Sequence, residues 1–109
     1  IAVASFVAFG NANQIFADNI NRDARRVAEL AATEINIATG VGDGYSHKFS
    51  LPQKLYSNTN YTIFINFNQL YVSSNTRTYM IPLLAYNITG TIKFGENTIK
   101  NSKGLIQLV

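Results

Sequence analysis

The chain has 109 residues, room for one domain with a modest core, and its 9 basic and 6 acidic residues leave a formal charge of +3. The basic residues beyond the first third, Lys48, Lys54, Arg77, Lys93, Lys100 and Lys103, are scattered, with no stripe to track a phosphate backbone, so a nucleic-acid partner is not expected. There is no cysteine, which excludes a disulfide framework and a thiolate metal site. Charged residues make up only 14%, well under the usual quarter, and Asn, Thr and Ser supply the polarity instead.

Residues 1–39 read as one helix. Its first part, 1–16, opens with "IAVASFVAFG", which carries no charge and is too short to cross a bilayer. Its second part, 17–39, is amphipathic: Phe16, Ile20, Ala24, Val27, Ala31, Ile35 and Ala38 recur three or four apart on one stripe. Of these, Ile20, Ala24, Val27, Ala31 and Ile35 are expected to pack on a sheet. Asp18 with Arg22 and Arg25 with Glu29 stand four apart, the spacing of helical ion pairs. Alanine is abundant and proline absent, and a helix of this length spans roughly 55–60 Å. That exceeds the diameter of a domain formed by the rest, so the N-terminal half is expected to project. Gly10 is either a bend or a glycine tolerated in a packed helix.

"TGVGDG" stops the helix at Gly40, Gly42 and Gly44. A phosphate-cradling loop follows a strand and opens a helix; here the glycines close a helix and lead into strands. Residues 40–109 read as a β-rich head of about six short strands, mostly joined by turns and so largely antiparallel. "YSHKFSL" alternates Tyr45, His47, Phe49 and Leu51 inward. "YTIFINF" alternates Tyr61, Ile63, Ile65 and Phe67, and turns near Asn68 into "QLYVSS". "RTYMIPLLAY" is apolar on both faces and is expected to be deeply buried, with Pro82 marking an edge or bulge. "NITGTIKF" points Ile88, Ile92 and Phe94 inward, with Gly90 at a bulge, and "NTIKNSKGLIQLV" forms a last hairpin turning at Asn101–Gly104. The fold class is α+β, a long N-terminal helix laid on a small, mainly antiparallel sheet.

Little in the chain reads as catalytic. His47 is the one histidine, and no serine sits in a nucleophile elbow. Asp43 and Glu96 are the only acids after the helix. No enzyme activity, metal or cofactor is expected. Two N-x-[ST] triplets, Asn60-Tyr61-Thr62 and Asn87-Ile88-Thr89, are candidate N-glycosylation sites in an exported protein, or chance occurrences in an Asn- and Thr-rich chain.

The order of a long helix, apolar then amphipathic, followed by a β-head resembles the type IV pilin superfamily. It looks most like archaeal type IV pilin-like proteins made with a class III signal peptide. The resemblance is carried by "RDARRVAELAATEIN", the exit "TGVGDGYS", "FSLPQKLYSNTNYTIFINFNQLYV" and "NTIKNSKGLIQLV". Its most specific part is the order around Phe49, Leu51, Pro52, Leu55 and Tyr61 to Ile65. It implies a ladle-shaped filament subunit, anchored in the membrane before assembly and trimmed by a prepilin peptidase. Assembly machinery then polymerises it into an extracellular homo-oligomeric filament for adhesion or surface attachment, with an N-linked glycan as a further partner. In the family the processing site and first mature residues would lie before Ile1. The resemblance implies that Ile1, Val3, Phe6, Val7, Phe9, Ile15 and Phe16 pack in the filament core. The alternative expectation is a membrane-tethered extracellular module that does not polymerise and binds carbohydrate or another surface through Tyr45, Tyr56, Tyr61, Tyr71, Tyr79 and Tyr86.

Overall fold

The structure is a computed structural model that describes the backbone of residues 2–109 and the side chains of residues 17–109. It is an α+β fold: one helix, α1 (Ala2–Val41), packs on two small sheets. Strands β1 (Ser46–Leu51), β6 (Gly95–Ser102), β7 (Leu105–Leu108) and β5 (Ile88–Gly90) form the first sheet in that order. Strands β2 (Thr62–Asn66), β3 (Gln69–Ser73) and β4 (Thr78–Pro82) form the second, an antiparallel meander. The expected six strands on one sheet are thus seven on two sheets, and β5 pairs with β7 in parallel.

The helix continues two residues past the expected end at 39, through Gly40 to Val41. It ends where Gly42 takes a φ of +96°, a left-handed conformation open to glycine, and its N–H bonds the Ala38 carbonyl at 3.3 Å. Gly10, read as either a bend or a tolerated glycine, lies outside the residues whose side chains are described. The buried face of the helix comprises Ile20, Ala24, Val27, Ala28, Ala31, Ala32, Ile35 and Ala38. Five of these eight are alanines, which add almost no thickness to the helix and let its backbone come close to both sheets. Opposite them lie Leu70 and Val72 of β3, Ile99 of β6 and Ile106 of β7, all fully buried.

Asn101 fastens the helix end to the head. Its Nδ2 donates to the Ala38 carbonyl at 2.9 Å, and its Oδ1 accepts from Gly104 N–H at 2.9 Å. Its own backbone N–H and C=O pair with Tyr45 and Gly44. This one buried residue therefore ties α1, the chain leaving it and the β6–β7 turn. The expected hairpins are present, closing at Phe67–Asn68 and Lys103–Gly104.

Several expectations about strand faces are corrected. "RTYMIPLLAY" is not deeply buried: β4 is an edge strand, Met80, Leu84 and Tyr86 are exposed, and only Leu83 and Ala85 reach the core. The outer face of its sheet is uncovered, so its apolar outward residues hide the alternation. His47 is exposed, because Phe49 and Leu51 alone carry the inward face of β1. Phe67 is 87% exposed at a hairpin tip, and Phe94 turns outward in the link between β5 and β6. Gly90 does not mark a bulge. It ends β5 at a φ of +88°, where an added Cβ would stand 1.9 Å from the Leu108 carbonyl oxygen.

Replacing Asn101 by Ala removes its side-chain bonds to the Ala38 carbonyl, which keeps only the longer Gly42 bond, and to the Gly104 N–H, and opens a space at a buried position. Urea unfolding of Asn101→Ala is expected to show a loss of about 1–3 kcal/mol, against a few tenths for the exposed Asn75→Ala.

Candidate functional site

Three regions carry features that the fold alone does not require. The first is the helix. Ile20, Ala24, Val27, Ala31 and Ile35 are buried against the head. Ile1, Val3, Phe6, Val7, Phe9, Ile15 and Phe16 lie outside the residues whose side chains are described. Polar ties line the flanks of the described part: Thr76 Oγ1 donates to Asn21 Oδ1 at 2.6 Å, and Leu84 N–H to Asn36 Oδ1 at 2.9 Å. Glu34 Oε2 meets His47 Nδ1 at 2.9 Å. Arg25 pairs with Glu29 at 3.6 Å and Arg26 with Asp23 at 3.7 Å. Asp18 and Arg22 do not form the ion pair expected from their spacing; both line a cleft beside the β3–β4 turn.

The second region is the outer face of the three-stranded sheet. Its register sets Phe64, Tyr71 and Met80 side by side across β2, β3 and β4. Phe64 and Met80 are each about half exposed. The Phe64 and Tyr71 rings lie 4.9 Å apart and within 9° of parallel, so each covers one face of the other, leaving less flat surface for stacking on a sugar. Tyr71 donates its hydroxyl to Gln69 Oε1 at 2.8 Å. This row was missed in the sequence; the signal was the hairpin register, which aligns three apolar residues on the solvent side.

The six tyrosines do not form one surface. Tyr61 is buried, its ring 4.8 Å from that of Phe94, and its hydroxyl donates to the Pro52 carbonyl at 2.5 Å. Tyr45 and Tyr79 are half-buried against the core. Tyr56 and Tyr86 are exposed.

The third region comprises the two sequons. Asn60 and Asn87 are both exposed. Asn60 accepts a hydrogen bond from Lys54 through Oδ1, and glycosylation at its Nδ2 would leave that acceptor in place. Asn87 opens β5, and its backbone carbonyl accepts from Ile106 N–H at 2.9 Å.

Among the described residues, no group of three or more His, Cys, Asp or Glu is placed to hold a metal ion, and no helix is long and apolar enough to cross a membrane. Comparison with protein-family models, with curated proteins and with solved structures finds no match for this chain.

Burial pushes the Tyr61 phenol up to about 12 from its ordinary 10. The unfolded chain loses this proton near pH 10 and the folded chain keeps it to about 12. The resulting stability is complete below pH 10 and is lost as pH rises through that window. Urea midpoints measured from pH 9 to 12 are expected to fall less steeply for Tyr61→Phe than for the native chain.

Proposed function

We propose that the chain is a structural subunit of an extracellular filament of the type IV pilus kind, polymerising through the first part of its helix for adhesion or surface attachment. One observation carries the reading. The helix runs from Ala2 to Val41 without interruption, and its described part commits a face from Ile20 to Ala38 to the head. That face lies on the second half of a 40-residue helix. The sequence of the other half holds no charged residue as far as Ala17.

An uncharged apolar segment left to itself in water is a liability. Two environments relieve it in turn. A bilayer receives it before assembly, together with whatever chain precedes Ile1, and other copies of the same helix surround it afterwards. Burying the seven apolar side chains of 1–16 contributes about 1.5–3 kcal/mol each before association costs. Relative to water this favours both the bilayer and a core of identical helices, with the β-heads facing outward. On this reading a prepilin peptidase and an assembly ATPase act on the chain, and Asn60 and Asn87 are open to N-linked glycan on the filament exterior. The ladle shape and the assignment to archaeal pilin-like proteins belong to the same proposal.

A second reading, a tethered binding module that does not polymerise, is favoured by the exposure of Phe67 at 87% and Tyr86 at 84%. The two readings separate in cells. Filaments sheared from the native organism are expected to contain the protein. Val7→Asp, placed in the apolar segment, is expected to lower its incorporation at least tenfold while the head keeps its spectrum and melting behaviour. Absence of the native protein from every surface filament contradicts the filament reading.

A further inference from the structure

Between α1 and the β3–β4 turn lies a cleft of about 250 Å³, walled by Asp18, Asn21, Arg22, Arg25, Arg77 and Tyr79. Three arginines line it against one aspartate. Among the described residues neither Arg22 nor Arg77 makes an ion pair, and Arg25 meets only Glu29, at an exposed 3.6 Å contact. The guanidinium of Arg77 stands over the Tyr79 ring, 5.9 Å from its centre, which steadies the side chain without neutralising it. The turn that carries Arg77 is itself held. Ser74 N–H bonds the Arg77 carbonyl at 2.9 Å and Arg77 N–H bonds Ser74 Oγ at 3.3 Å. The Thr76–Asn21 bond then pins the turn to the helix.

The fold thus holds three like charges together, 55 residues apart in sequence between Arg22 and Arg77, with no acid inside the cleft but Asp18. Nothing in the packing demands this, since all three arginines are exposed. Guanidinium forks match the tetrahedral oxygens of phosphate, and several forks exceed what one carboxylate takes up. We propose that this cleft binds a phosphate group through Arg22, Arg25 and Arg77. Free phosphate compounds and phospholipid headgroups share that chemistry. The lipid source rests on the membrane-anchored stage of the filament reading. Asp18 is the first charge in the chain, and Arg22 follows it by about 6 Å along the helix axis. With the uncharged segment in a bilayer, the cleft would stand at headgroup level.

The full chain in maltoside micelles is titrated with inorganic phosphate while the Nε–Hε signals of the three arginines are followed by NMR. Saturable shifts at all three are expected with phosphate, and none with acetate at equal ionic strength. No shift with phosphate, or equal shifts with acetate, overturns the site. Co-sedimentation with phosphatidylcholine vesicles, with and without phosphatidylglycerol, then separates the sources. Preference for the anionic vesicles, reduced about tenfold in Arg22→Gln and Arg77→Gln but not in Lys100→Gln, assigns the lipid headgroup. Phosphate shifts with no such preference assign a soluble phosphate compound. An equal loss in Lys100→Gln shows bulk charge alone and overturns the lipid assignment. If neither vesicle retains the protein, the membrane-anchored reading fails, while the phosphate titration still decides the cleft. Amide spectra confirm that each variant folds.

Discussion

The close approach of α1 to the two sheets is the contact on which the molecule depends. Ala24, Ala28, Ala31, Ala32 and Ala38 are all essentially inaccessible. Small side chains here allow one helix to serve as the shared wall of two sheets that are not hydrogen-bonded into one. Without it neither sheet has a second layer: the first has four strands, one of them only three residues long, and the second has three. Sheets of this size need a covering element to be stable. The larger residues between the alanines, Val27 and Ile35, fill the space that the alanines leave, and volume-matched packing of this kind resists added bulk.

Asparagine complements this apolar contact. Asn21, Asn36 and Asn101 each join the helix to a different part of the head, and Asn97 closes the link before β6 by bonding Lys93 at both its N–H and its carbonyl. A neutral amide is a donor and an acceptor at once, so it can secure backbone ends without burying a charge. This accounts in physical terms for a chain that is rich in Asn and low in charge. No buried side-chain nitrogen or oxygen among the described residues lacks a partner.

Much of this was legible in the sequence. The helical stripe from Ile20 to Ala38, the glycine exit, both hairpins and the edge position of Pro82 are local patterns, set by period and turn chemistry. Ala28 and Ala32 lie beside that stripe and are buried only because the helix is covered from two sides. The split into two sheets and the parallel β5–β7 pair depend on contacts between distant segments, which no local period reports. The inward expectation for Phe94 failed, and His47 and Phe67, though on the alternating positions, are exposed where strands end or one face stays open. The arginine cleft was invisible because Arg77 comes from a hairpin turn far along the chain from Arg22 and Arg25; the scatter of basic residues in sequence is no guide to their grouping in space.

On the proposed filament reading a helix divided in use links fold to function: the part from Ile20 to Ala38 is committed to its own head, and the apolar part would be offered to membrane and then to other copies. The committed part must behave as a piece of the head rather than as an appendage. Native-state hydrogen exchange on the full chain tests this most directly. The account predicts that amides of residues 24–38 open only with those of β3, β6 and β7, converging on the same global unfolding free energy as denaturant rises. Exchange of the helix amides at a clearly lower free energy, with both sheets still protected, would contradict it.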